Sequence, residues 1–102
     1  MEKERLEQNL IDQMKEAQLK LGFEEETMRL YYPVASLNLL LGTNCETAKE
    51  MVTELTALFA ERKSVLGAMS FRVSAGRIEV SVPPEGAKYV HEHMGDVAFL
   101  KA

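Results

Sequence analysis

The chain contains one short cluster whose residue types could bind a metal ion, His91-Glu92-His93. Imidazole nitrogens and carboxylate oxygens are common ligands of transition metals. On a helix, residues i and i+2 point about 200° apart, so His91 and His93 cannot share an ion there, whereas in an extended segment they could. The HExxH spacing is absent. We therefore expect no metal site.

The single cysteine, Cys45, is the second candidate for chemistry. It lies where a helix is expected to begin, and a helix dipole can lower the pKa of a thiol there. A nucleophile also needs a base and an oxyanion site, and the sequence offers no recognisable second member. None of the six glycines forms a GxGxxG or GxxxxGK phosphate-binding motif. The sequence therefore predicts no catalytic residue and no cofactor.

Four side chains are candidates for a pocket or an interaction surface: Tyr31, Tyr32, Asn38 and, from the cluster above, His91. The two tyrosines precede Pro33 and combine a large apolar ring with a polar tip, which suits a binding surface or the wall of a core. Asn38 lies among leucines and needs a hydrogen-bond partner if it is buried.

Length and composition predict a single domain over residues 1–102. The chain has 46% hydrophobic and 27% charged residues and a formal net charge of −4, which argues against disorder. No apolar run approaches the ~18 residues of a membrane span, and the first residues lack the apolar segment of a secretory signal. We expect a cytoplasmic protein that does not bind membranes.

Apolar residues at helical spacing predict four helices. Their approximate bounds are 2–21, 33–41, 44–63 and 84–94. In the first helix, the apolar stripe consists of Leu6, Leu10, Met14, Ala17 and Leu21. The third helix is expected to begin at a capping box formed by Thr43 and Glu46, with Asn44 as an equally good N-cap. Residues 24–30 are interpreted as a short helix or turn, because Pro33 disfavours helical geometry at the residue before it.

The periodicity changes to two after residue 67 and predicts a β-hairpin with strands at about 68–74 and 77–82. A two-residue loop at Ala75-Gly76 would pair Phe71 with Val80 on the apolar face, Met69 with Val82, and Arg72 with Glu79 on the other face. Since Ala-Gly is a weaker turn signal than Asn-Gly, a bulged turn of three or four residues is the alternative. An isolated hairpin is marginal in water, so its apolar face must lie against the helices.

These elements predict an α+β domain with three N-terminal helices, a two-stranded antiparallel hairpin and a C-terminal helix. This order is that of a winged helix, in which helices 33–41 and 44–63 would form the helix-turn-helix. An unrelated arrangement of helices and a hairpin is the alternative. Beyond the last helix, Phe99 and Leu100 require burial, so we expect either that the tail docks on the core or that the chain was once longer.

The charges argue against binding to nucleic acid, which calls for a basic face. The helix that would enter the major groove carries Glu46, Glu50 and Glu54 at four-residue spacing. Only Lys49 interrupts this row before the basic residues at the far end of the helix. Its N-terminal half would therefore be repelled by the phosphate backbone.

Four short segments of the chain deserve comparison with known families: Tyr31–Asn38, Arg77–Val80, Pro83–Gly86 and Tyr89–His91. These segments resemble a family of small uncharacterised proteins from anaerobic gut bacteria. The resemblance extends from the first helix to about Val97. It implies a bacterial and cytoplasmic origin. Because the family is a domain of unknown function, it assigns no catalytic residue.

We therefore predict a non-enzymatic module that binds another protein or itself. The absence of a catalytic set, the acidic surface and the expected exposed strand edge or helix face lead to this prediction. A winged-helix-type DNA-binding regulator is the second hypothesis, and a small enzyme is the third.

Overall fold

The computed structural model describes residues 3–61 and 64–93. In this part of the chain, four helices and one antiparallel sheet of three strands form an α+β fold. The α+β class was predicted, but the sheet has three strands rather than the expected two. In chain order the elements are α1 (Lys3–Leu21), β1 (Met28–Tyr32), α2 (Val34–Leu41), α3 (Ala48–Glu61), β2 (Ser70–Ser74), β3 (Arg77–Val82) and α4 (Pro84–Glu92).

The hairpin of β2 and β3 forms in the predicted register. Phe71 pairs with Val80 and Arg72 with Glu79. Ala75 and Gly76 form a two-residue loop with φ angles of 49° and 79°, which are typical of a type I′ turn, so no bulged turn is needed. The ladder begins at Ser70, so Met69 lies outside it and the predicted pair of Met69 with Val82 is not part of the ladder.

The left-handed conformation of Ala75 predicts that Ala75→Asn stabilises the protein. Asparagine tolerates positive φ better than alanine, and Asn-Gly is a favoured type I′ pair, so the free energy of unfolding should rise by about 0.5 kcal/mol. Urea unfolding followed by circular dichroism measures the change. As a control, Ala75→Val should lower stability, because β-branched residues resist this conformation. Equal stability of the asparagine variant and the wild type would contradict the assignment of the turn.

The third strand, β1, was not predicted. The expected helix or turn at 24–30 is wrong for residues 28–30, which belong to β1. Strand β1 pairs with β3 from Met28 opposite Val82 to Tyr32 opposite Ile78, which places β3 in the centre of the sheet. Alternate residues Leu30 and Tyr32 are buried. The strand ends before Pro33, which has no N–H to donate.

Helix α3 begins at Ala48, four residues later than predicted. The capping box consists of Thr47 and Glu50 rather than Thr43 and Glu46. The N–H of Glu50 donates to Oγ1 of Thr47 (3.1 Å), and the N–H of Thr47 donates to Oε1 of Glu50 (3.1 Å). Helix α4 ends at Glu92, with His93 as its C-cap, two residues earlier than predicted. The predicted end of the third helix at 63 and the expected docking of Phe99 and Leu100 lie outside the described residues.

The core lies between the helices and the inner face of the sheet. Its fully buried side chains include Leu6, Leu10, Met14, Leu37, Met51, Leu55, Leu66, Ile78, Val80, Val82 and Val90. Along α1 the buried stripe continues at Gln18, whose Nε2 donates to the carbonyl oxygen of Ala87 (3.0 Å). Leu21, predicted to belong to the stripe, is 86% exposed at the end of the helix.

A close backbone contact seats α4 against the segment that follows α3. A Cβ atom at Gly86 would collide with the carbonyl oxygen of Leu66 and with Val82 Cγ1. The segment is turned by the N–H of Gly67, which donates to the carbonyl oxygen of Ser64 (3.0 Å). Glycine at position 86, unfavourable for an isolated helix, is therefore required by the packing.

Candidate functional site

The first candidate residue, Tyr31, lies on the outer face of the sheet in a row that crosses all three strands. Its hydroxyl donates to Oε1 of Glu79 (3.0 Å), and Nε of Arg72 donates to Oε2 of Glu79 (2.6 Å), which confirms the predicted pair. Glu79 is only 3% exposed. Hydrogen bonding to Arg72 lowers the pKa of the Glu79 carboxyl, with Tyr31 acting in the same direction. The row therefore links the strands on the solvent side.

The adjacent Tyr32 points to the opposite face of the sheet and packs against α1. Its hydroxyl donates to Oδ1 of Asn9 (2.7 Å) and accepts from Nε2 of Gln13 (3.1 Å). Burial raises the pKa of Tyr32 to about 12. Successive strand residues face opposite sides, so the two tyrosines cannot line one pocket.

The raised pKa of Tyr32 predicts a loss of stability at alkaline pH. Its folded-state pKa lies above the unfolded value of about 10. The folded chain therefore holds this proton more tightly, and the stabilisation is complete below pH ~10 and is lost as the pH rises towards ~12. In Tyr32→Phe, the free energy of unfolding should be lower by about 1 kcal/mol at neutral pH and should decline less across this range. Denaturant unfolding at several pH values measures both effects.

Tyr89→Phe is the control, because it keeps the Tyr32 phenol and should keep the steeper alkaline decline. Parallel curves for the wild type and Tyr32→Phe would refute the role assigned to the buried phenol.

Asn38, the third candidate, organises the connection between α2 and α3. Its Oδ1 accepts from the hydroxyl of Thr43 (2.7 Å) and from the N–H of Cys45 (2.9 Å). Its Nδ2 donates to the carbonyl oxygen of Cys45 (2.9 Å). The side chain thus has the partners that its position among leucines requires, and its role is to hold this loop.

Cys45 lies three residues before Ala48, the first residue of α3, and is half-buried. Burial raises the pKa of its thiol, and the carboxylates of Glu54 and Glu50 act in the same direction. A protonated thiol is a weak nucleophile.

His91 and His93 each stack on a different aromatic ring at the end of α4. The ring centroids of His91 and Phe23 are 4.0 Å apart, and those of His93 and Tyr89 are 4.1 Å apart. Within residues 3–61 and 64–93, no group of three or more His, Cys, Asp or Glu side chains is placed to hold a metal ion. The four residues predicted for a pocket or an interaction surface, Tyr31, Tyr32, Asn38 and His91, thus do not form one site.

A groove of about 1010 Å³ lies at the edge of the sheet. It lies between the C-terminal half of α3, the exposed face of α4 and the segment that leads into β2. Its larger apolar or aromatic lining residues are Phe59, Val65, Met69, Phe71 and Tyr89, and its charged ones are Glu85, Lys88 and Glu92. We call this feature the edge groove.

Contacts to β2 and α1 hold Phe59 of the edge groove in place. The ring centroids of Phe59 on α3 and Phe71 on β2 are 5.5 Å apart. The ammonium group of Lys3 on α1 lies 5.1 Å from the Phe59 ring centroid and 3.8 Å from a carboxylate oxygen of Glu7. The position of Phe59 is therefore set by contacts to both a helix and a strand.

The lining of the edge groove combines aromatic and apolar side chains with a few polar and charged groups, as ligand sites do. Among the lining residues there is no histidine or cysteine. Sequence reasoning assigned Phe71 to the inner face of a hairpin and missed the groove. The spacing of Glu85, Lys88, Tyr89 and Glu92 on one side of a helix is the one signal that could have pointed to it.

The fold and the edge groove define a small α+β domain with a candidate binding surface. The chain belongs to the family described as "Domain of unknown function, E. rectale Gene description (DUF3877)", whose model matches residues 3–102. This confirms the resemblance inferred from the sequence. No curated protein and no solved structure matches the chain. No helix in the described part of the chain has the length and apolar character needed to cross a membrane.

Proposed function

We propose that this domain is a non-enzymatic interaction module that binds a protein partner in the edge groove. The observation that carries the proposal is the set of accessible aromatic side chains beside charges of both signs. Aromatic residues are enriched at the centres of protein interfaces, where they supply much of the binding energy. The cytoplasmic location expected from the sequence stays a prediction.

We also infer a winged-helix-like topology. Three helices precede the β2–β3 hairpin, and α2 and α3 follow each other through a short connection, which supports this topology. Strand β1 lies between the first two helices in the sequence and extends the sheet beside β3. Helix α4 follows the hairpin and supplies one wall of the edge groove. A fold of this kind does not determine the function.

Filling the edge groove should prevent binding to the partner. Ala60 is exposed on α3 and lines the groove, so Ala60→Arg places a long charged side chain there without altering the core. The tagged variant, incubated with extract of cells that produce the protein, should recover about tenfold less of the specific partner than the wild type does.

Ala57→Arg is the matched control, since Ala57 is also exposed on α3 but does not line the groove. This variant should recover as much partner as the wild type, and thermal unfolding should show that both variants are folded. Equal recovery by the two arginine variants, or no specific partner for the wild type, would refute binding in the groove.

DNA binding is the second candidate function, favoured by the topology and by Arg29, Arg72 and Arg77 on the outer face of the sheet. Against it, Glu50 and Glu54 are exposed on α3, the helix that would enter the major groove.

A titration with fluorescent duplex DNA separates the two functions. Because phosphate contacts give a steep dependence of affinity on salt, a DNA-binding protein would bind tightly at about 50 mM salt and weakly at about 200 mM. We expect no saturable binding at either concentration. A steep decrease in affinity between them would support the DNA-binding function instead.

A further inference from the structure

We propose that the partner contributes an extended segment that adds to β2 as a fourth strand and places an acidic residue beside Arg72, between two apolar residues. This inference rests on the proposed interaction function and specifies the chemistry of the partner. We base this inference on three features of β2: its main chain, the apolar side chains on its inner face and the charge on its outer face.

Among the described residues, β2 is an edge strand with nothing paired on its outer side, because the order of the sheet is β1-β3-β2. The two-residue turn makes Ser74 and Arg77 a hydrogen-bonded pair, and such pairs alternate along an antiparallel ladder. Phe71 and Val73 therefore direct their N–H and C=O groups away from β3. Neither residue has a backbone hydrogen bond to a turn or loop within the described residues. This edge thus offers two donors and two acceptors to an added strand.

The inner face of this edge is apolar. Val73 is 49% exposed, and Phe71 is half-buried and lines the edge groove. Because alternate residues of a strand share a face, an added strand would place two side chains beside Phe71 and Val73. Apolar side chains there would cover Val73 and extend into the groove beside Phe71. The edge and the groove are therefore parts of one binding surface.

The outer face of the edge selects the charge of the partner. The side chain of Arg72 is 71% exposed, and two of its five N–H donors bond to Glu79. The other three have no acceptor among the described residues. A carboxylate on the added strand would accept from them, whereas a lysine would face a like charge. On its other side, β2 already pairs with an acidic residue between two apolar ones, in the segment Ile78-Glu79-Val80 of β3.

The test uses the acetylated and amidated peptide Thr-Ile-Glu-Val-Thr and its matched control Thr-Ile-Lys-Val-Thr. NMR titration of the isotope-labelled full chain should show that the glutamate peptide binds about tenfold more tightly than the lysine peptide. It should also slow hydrogen exchange at the amides of Phe71 and Val73. The backbone groups of Arg29 and Tyr31, which point outward from β1, serve as the internal control and should be unaffected.

Two variants test the strand and the charge separately. Val73→Pro removes a donor at the free edge without removing a ladder bond, so it should abolish binding of the glutamate peptide. Arg72→Glu combined with Glu79→Arg keeps the internal ion pair but reverses the charge at the edge, so it should prefer the lysine peptide. Thermal unfolding checks that each variant folds, and the charge exchange tests the proposal even if the proline variant does not fold.

Equal affinity for the two peptides, or protection at Arg29 and Tyr31 instead, would overturn the proposal. A dimer of the chain that Val73→Pro converts to monomers would also overturn it, since the occupant of β2 would then be a second copy. If Ala60→Arg loses the partner but Val73→Pro keeps it, the addition of a strand to β2 is refuted, while binding in the edge groove is supported. If Ala60→Arg keeps the partner while Val73→Pro loses it, binding in the groove fails and strand addition is supported.

Discussion

The pairing of the central strand β3 on both sides is the constraint on which the rest of the structure depends. Its inward residues Ile78, Val80 and Val82 are completely buried, so a shift of one residue would turn all three towards solvent. The same register brings Glu79 between Tyr31 and Arg72 on the outer face. It also determines which backbone groups of β2 point away from β3. The core, the polar row and the candidate binding edge therefore have a common origin.

Much of this arrangement can be predicted from local patterns. The alternation of apolar residues around Ala75-Gly76 is sufficient to predict the register of the hairpin, because the turn and both strands are adjacent in the sequence. Strand β1 is harder to predict, since it has five residues and its partner lies about fifty residues further along the chain. The start of α3 was predicted wrongly because Thr43 and Thr47 are each followed three residues later by glutamate. The contact of Thr43 with Asn38, which sequence spacing does not show, favours Thr47 as the cap.

The candidate site, too, could be predicted only in part from the sequence. The residue types at Tyr32 and Asn38 suggested a pocket, but their polar atoms bond to Asn9 and to Cys45 within the fold. The edge groove instead arises where α3, α4 and β2 meet, so none of these segments alone reveals it. In the sequence, Phe59 and Phe71 follow the same helix or strand spacing as the core residues, so the spacing alone does not set them apart. Only the tertiary arrangement shows that Phe71 also faces an accessible surface.

The close approach of Gly86 to the carbonyl oxygen of Leu66 has a consequence for the evolution of the family. A methyl group at this position would push α4 away from Leu66 and widen the edge groove, of which α4 forms one wall. Homologous chains that keep the same groove should therefore retain glycine at the equivalent position, even where the lining side chains have diverged. A homologue with a larger residue there should accept ligands of a different shape.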